Sequence, residues 1–231
     1  VSYRVTLTIL SPVVISSGEA ALRSGEDFVV QAGRVLVLDR ARAASALLDD
    51  AALARPGRLA LQLDTLLQPA DLSRFARRTV ALRAAASEVR EIVPLLRDSA
   101  GRAYMPGSSL KGALRTALGW ERLGQPGHEL TDRDFPVLRG QAGHARQVDD
   151  SVELRLWSPG AGGARGQAPT HDVFRALRIA DSAPLPADGD AVYTVVIATR
   201  RGRGVDIAGR IGQRLAVEAM QPSQRLQTRV V

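Results

Sequence analysis

The chain has no cysteine, no asparagine and a single lysine, Lys111, among its 231 residues. The missing cysteine excludes disulfide scaffolds, cysteine-ligated zinc, iron–sulfur clusters and thiol catalysis, and it fits a reducing compartment. Aromatic residues make up only 4%, too few for base stacking on an aromatic platform to be the main way of holding RNA. No run of about 18 or more apolar residues occurs, which excludes a membrane-spanning helix. Of the three histidines, His128, His144 and His171, none stands at metal-ligand spacing from carboxylates or in a triad pattern with serine. No phosphate-binding Walker sequence is present. The carboxylate pairs Asp149-Asp150 and Asp188/Asp190 sit in polar stretches and are expected to be solvated surface. These absences lead us to expect a cytoplasmic protein with no cofactor, no metal site, no catalytic residue and no membrane contact, opening into a strand without a targeting segment.

What is present is arginine. Thirty-one basic residues against 24 acidic ones give a net charge of +7, and every basic residue but Lys111 is arginine. The joint shortage of lysine and asparagine resembles a coding bias, so arginine richness alone is weak evidence. Even so, guanidinium groups bind phosphate through two parallel hydrogen bonds and stack on bases, which tilts the expected partner toward nucleic acid. A length of 231 residues suits one large domain or two small ones.

Residues 3–10 alternate as a half-buried strand. Residues 27–30 and 34–38 predict a hairpin around Gln31-Ala32-Gly33, and Asp39 is placed to cap a helix running to about residue 53. A second helical stretch is expected over 71–78 and a strand over 87–97. The sharpest punctuation, Pro106-Gly107-Ser108-Ser109, precedes a helix expected from 110 to 123 with Leu110, Leu114, Ala117 and Leu118 as its apolar stripe. From 124 to 170 the pattern dissolves into an irregular insertion, either a functional loop or plain surface. Strands are expected again over 192–199, 215–220 and 226–231. Arg201-Gly202-Arg203-Gly204 suits a basic turn between elements. The order predicts an α+β domain with helices on one face of an antiparallel sheet, most simply a ferredoxin-like (RRM-like) core.

At Pro106-Gly107-Ser108-Ser109, a bend that opens a helix offers unpaired backbone N–H groups and two hydroxyls, with Lys111 and Arg115 one turn apart. Dipole, donors and cations together make a phosphate site. Gly112 inside a helix costs roughly 1 kcal/mol relative to alanine, which suggests a close approach there. The plainer alternative is a capped amphipathic helix whose cations face water, and on physics alone the two stand level.

The segment Met105-Pro106-Gly107-Ser108-Ser109-Leu110-Lys111-Gly112-Ala113-Leu114-Arg115 resembles the signature of the RAMP superfamily, the RNA-binding proteins of CRISPR effector complexes. Pro12-Val13-Val14-Ile15-Ser16-Ser17-Gly18 is similar to that family's first loop. Asp27-Phe28-Val29-Val30, Gly33 to Asp39, and Asp172 to Ser182 are similar to the fifth-subunit family of type III-A (Csm) complexes. The resemblance implies one RAMP domain over 1–231 with the insertion at about 124–170; such proteins carry a second RAMP domain, expected here to be absent. It implies a non-catalytic subunit that holds crRNA at the 3′ side, with target RNA as a further expected partner. Its partners would be other Csm subunits, above all the backbone RAMP subunit, and recruited host nucleases. Carried over, Ser108, Ser109, Lys111, Gly112 and Arg115 would hold crRNA backbone, Ser16, Ser17 and Gly18 would line the same face, and His171 and Arg175 would flank the last motif. A type III-B subunit, a metal-independent endoribonuclease using His171, and a protein-only scaffold are the competing readings.

Overall fold

In the computed structural model, residues 1–48, 72–83, 89–126, 152, 156–157, 172–195, 198–201, 204–207 and 215–231 are described. The chain divides into two compact units: Val1–Thr6, Met105–Ala183 and Gln227–Val231 form one, Leu7–Tyr104 and Pro184–Leu226 the other. We call them the helix unit and the sheet unit.

The sheet unit is built on strands β2 (Leu22–Arg23), β3 (Phe28–Gln31), β4 (Arg34–Leu38), β5 (Ala76–Leu82), β6 (Glu91–Val93), β7 (Asp190–Val195) and β10 (Leu215–Met220). They form one seven-stranded sheet in the order β2-β6-β10-β7-β5-β4-β3. The expected α+β composition holds, but the sheet is mixed rather than antiparallel. β10 runs parallel to β6, and β5 runs parallel to β7. Parallel neighbours need long crossover connections, and the chain supplies them: Met105–Ala183, nearly all of the helix unit, lies between β6 and β7.

The β3–β4 hairpin forms as its sequence predicts. Ala32 and Gly33 take φ of +49° and +72°, the left-handed pair that matches the twist of a two-residue hairpin. Its period of two sorts the side chains into two sets. Phe28, Val35 and Val37 join Val80, Ile92, Val192 and Ala216 in one core cluster. Val29, Leu36 and Leu38 join Ala43, Leu72 and Phe75 in another, so both faces of this hairpin are covered. Helix α1 (Arg40–Leu48) starts where expected, with the Asp39 carboxylate accepting from the Arg42 N–H at 3.1 Å; its expected continuation to about residue 53 lies outside the described residues.

Three expectations need correction. The second helix expected over 71–78 does not continue through 73–78, and residue 71 lies outside the described residues. After a 3₁₀ turn over Ser73–Phe75 the chain enters β5, because paired β4 and β7 edges flank it and tertiary pairing outweighs local preference. The 87–97 strand shrinks to Glu91–Val93, Pro94 ending the ladder and Leu95 and Arg97 making isolated bridges. The 192–199 strand divides into β7 and β8 (Ala198–Arg201), and β8 pairs with β9 (Gly204–Ile207) so that Arg201 faces Gly204 across a hairpin.

Asp190 also departs from expectation. It is 6% exposed and pairs with Arg97, which donates through the same Nη2 to Glu218 at 3.0 Å. Glu218 is 0% exposed; it accepts as well from Arg78 and, at 3.0 Å, from the Leu95 N–H. Burial pushes the Glu218 carboxyl up, but Arg78 and Arg97 outweigh it and hold the carboxyl below its ordinary range. Burial pulls Arg97 down, and its two carboxylates more than reverse that.

Candidate nucleic-acid interface

The helix unit is organised by α2, Gly107–Leu123, which begins three residues earlier than the sequence suggested. Gly107, Ser108 and Ser109 are therefore the first turn of the helix and not a bend before it. The first N–H is already occupied: Gly107 N donates to Asp181 Oδ1 at 2.8 Å, a carboxylate at the positive end of the helix dipole. The chain packs so tightly here that a Cβ on Gly107 would lie 2.0 Å from the Ile179 carbonyl oxygen. Residues 177–183 run beside the C-terminal strand β11 (Arg225–Val230), Arg178 N donating to Val231 O and Ala180 N to Arg229 O at 2.9 Å. β11 pairs with β1 (Tyr3–Thr8).

The chain's own close approach lies at Gly107 and not at Gly112. Around Gly112 no atom beyond its chain neighbours and the adjacent turns of helix backbone comes within 4 Å of a Cβ position, and the residue is exposed. Ser108 and Ser109 are exposed beside it. One flank of α2 thus presents two hydroxyls and a bare stretch of helix backbone.

The two cations behave differently from water-facing residues. Lys111 Nζ donates to the Leu177 carbonyl at 2.9 Å, leaving it two further N–H donors. Arg115 Nη1 donates to Asp172 Oδ2 at 2.6 Å, and the other oxygen of Asp172 accepts from Phe174 N at 2.8 Å, capping the 3₁₀ turn Val173–Ala176. The Arg115 guanidinium lies 5.3 Å from the Trp157 ring centre and 5.6 Å from that of Phe174. Those rings meet edge to face at 4.6 Å within a cluster that includes Leu156, and Arg122 donates to the Leu156 carbonyl at 2.9 Å. Hence the cationic side of α2 packs inward, while Leu114 and Leu118 of the expected apolar stripe are 38% and 46% exposed. Leu156 and Trp157, isolated apolar residues in the irregular insertion, are core; the rest of the insertion from 127 lies outside the described residues, apart from Val152.

Arg175 is exposed on the 3₁₀ turn, and no hydrogen bond or ion pair of its side chain is found among the described residues. The structural ion pair near this motif belongs to Asp172 and Arg115. His171 lies outside the described residues, as do His128, His144 and Asp149-Asp150. Ser16, Ser17 and Gly18 belong to the sheet unit. There the two hydroxyls shape their own loop: Ser16 Oγ accepts from Gly18 N and Ser17 Oγ from Glu19 N, each at 3.2 Å. Each hydroxyl hydrogen remains free to donate outward. Asp172, Asp181 and Gly107 were missed as site-forming residues. An isolated Asp two residues before Phe174, in the Asx-turn pattern, was the available signal.

The model of the RAMP superfamily matches residues 6–230. The chain belongs to the RAMP superfamily. Within it, the chain is 33% identical over 98 residues to the CRISPR system Cms protein Csm5 of Mycobacterium tuberculosis (strain CDC 1551 / Oshkosh), covering 42% of this chain and 25% of that protein. It is 32% identical over 99 residues to Csm5 of Streptococcus thermophilus, covering 43% and 24%. The chain thus matches about a quarter of the length of these relatives. The fold of this RAMP protein is shared with the crystal structure of T. onnurineus Csm5, at a TM-score of 0.72 and 23% identity over 98% of this chain and 67% of that one. It is also shared with a chain of the Csm-crRNA-target RNA ternary complex of a type III-A CRISPR-Cas system, at a TM-score of 0.60 and 21% identity over 100% and 64%. Among the described residues no helix is long and apolar enough to cross a membrane.

Proposed function

We propose that this chain is a non-catalytic crRNA-binding subunit of a type III-A Csm complex, capping it at the 3′ side of the crRNA and supporting 3′-end maturation and antiviral defence in the cytoplasm. RAMP membership and the likeness to Csm5 support this reading, in which crRNA, target RNA, the backbone RAMP subunit and recruited host nucleases are the partners. A ferredoxin-like core inside the mixed sheet belongs to the same reading.

The observation that carries it is the open flank of α2. Ser108 and Ser109 present hydroxyls, and Gly112 leaves the helix surface free of a side chain, so a sugar–phosphate chain can lie against backbone. Lys111, held at Leu177 with two donors left, and Arg175 supply positive charge. Arg115 acts by holding Asp172 and its turn in place. Ser16, Ser17 and Gly18 contribute a second set of outward donors, and His171 completes the motif at Asp172.

Binding of single-stranded repeat RNA by the purified chain across a salt series tests this. Log K should fall by about 0.7 per phosphate contact for each log unit of salt, and Lys111→Ala with Arg115→Ala should weaken binding at least about tenfold. Unchanged affinity in that double variant overturns phosphate contact at α2. Metal-independent cutting of the same RNA, lost in His171→Ala, overturns the non-catalytic assignment.

A further inference from the structure

The sheet unit holds a feature that none of the RAMP motifs accounts for. In the β4–β5 ladder Val37 faces Arg78 and Leu38 faces Ala76, so Arg77 is an extra residue with no partner opposite it. This is a β-bulge. On a regular strand Arg77 and Arg78 would point to opposite faces; a bulge breaks the alternation and re-aims a side chain. Both arginines line one cavity of about 510 Å³, within the usual range of small-molecule sites.

Its remaining walls suit a particular chemistry. Arg40 and Arg97 also line it, as does Ser17. Arg78 is anchored on Glu218, and its Nε–H, like that of Arg97, is buried with no acceptor, so these guanidinium groups carry more donors than their carboxylates use. No hydrogen bond or ion pair of the exposed Arg77 is found among the described residues. Carboxylates are there too. Asp27 accepts from Arg23 N and Arg40, Asp39 from Arg42 N, and Asp98 from Ala100 N and Arg102, while Glu19 makes no such bond among the described residues. Leu22, Val37 and Leu38 supply an apolar side. A bare inorganic anion would meet as many carboxylates as guanidinium groups. A nucleotide matches all three surfaces: phosphate for arginine, ribose hydroxyls for carboxylate, and a base for the apolar wall and the guanidinium planes. With aromatics at 4%, arginine is the stacking group this chain has.

We propose that this cavity holds one nucleotide of a single-stranded RNA, with its phosphate on Arg77, Arg78 and the Ser17 hydroxyl and its base against the apolar wall. The assignment rests on the RNA-binding reading above and extends it, from the Ser17 donor already placed there, to a nucleotide cavity in the sheet unit.

The test uses the full chain and a labelled single-stranded RNA of about 20 nucleotides. Arg77→Glu should weaken binding about tenfold or more and lower the salt slope by about 0.7. Arg77→Lys should recover most of the loss, and Arg225→Glu, a like charge change at an exposed position of β11, should change affinity less than twofold. Thermal melting checks that each variant folds. Photo-crosslinks from 4-thiouridine RNA should map to peptides containing Ser17 or Arg77. Wild-type affinity in Arg77→Glu, an equal loss in Arg225→Glu, or crosslinks confined to α2 overturns the site while leaving α2 binding intact. An unmodified chain that binds no RNA overturns the functional reading itself. If AMP binds the unmodified chain but not Arg77→Glu, and RNA binding is the same in both, the cavity takes free nucleotides and the RNA assignment falls.

Discussion

The two units handle arginine in opposite ways. In the sheet unit Arg78 and Arg97 surround Glu218, at 0% exposure, and Asp190, at 6%. In the helix unit Arg115 meets Asp172 with side chains 22% and 24% exposed, beneath two aromatic rings. The first arrangement takes two carboxylates out of water and holds them by paired guanidinium groups; the second keeps contact with solvent and relies on ring and carboxylate together. Burial, and not the identity of the residue, decides how much of each guanidinium group is committed to a carboxylate: Arg78 and Arg97 are anchored on Glu218, while Arg77 is exposed.

The largest effect should come from breaking the buried set. Glu218→Gln leaves two buried guanidinium groups short of a counter-charge and should cost about 3–5 kcal/mol in urea unfolding. The pH dependence follows from the same residue. Its carboxyl lies lower in the folded chain than in the unfolded one, so its stabilisation is complete above the unfolded value of about 4.3 and fades as pH falls through the folded value. Acid titration of the melting temperature should show this loss, and the loss should be smaller in Glu218→Gln.

Next comes a variant that tests packing rather than charge. Gly107→Ala forces a Cβ against the Ile179 carbonyl and should destabilise by about 3 kcal/mol, whereas Gly112→Ala should stabilise by up to about 1 kcal/mol while weakening RNA binding. Thermal melts and RNA titrations on the pair separate the structural glycine from the functional one. Arg115→Met keeps the apolar stem but loses carboxylate and ring contacts, and should cost about 1–2 kcal/mol, less than Glu218→Gln, because its pair is partly screened by water. An equal cost for the two would end the contrast between the units. The smallest effect on folding belongs to Ser108→Ala with Ser109→Ala: under about 0.5 kcal/mol for exposed positions, with a measurable loss of RNA affinity.

Much of this was legible in the chain itself. The β3–β4 hairpin follows from β-branched runs around Ala32-Gly33, the cap of α1 from Asp39, and α2 from its punctuation, because each is governed by neighbours within a few residues. β5 was not legible: the helix expected over 71–78 runs into its first three residues, and only pairing with β4 and β7 on either side makes 76–82 a strand. Nor was the direction of α2. Its apolar stripe suggested that Leu114 and Leu118 would be buried, yet Lys111, Arg115 and Arg122 face inward, since Leu177, Asp172 and the Leu156 carbonyl wait there from residues up to 66 positions away.

By itself, then, the sequence determined the family, the α+β composition, the β3–β4 hairpin and the helix that opens at Pro106, all properties of short-range pattern. Only the tertiary structure decided that the sheet is mixed, that Glu218 and Asp190 lie buried among arginines, and that a bulge turns Arg77 and Arg78 into one cavity. Pairing partners, burial and register depend on segments far apart in the chain, and no local pattern encodes which of them will meet.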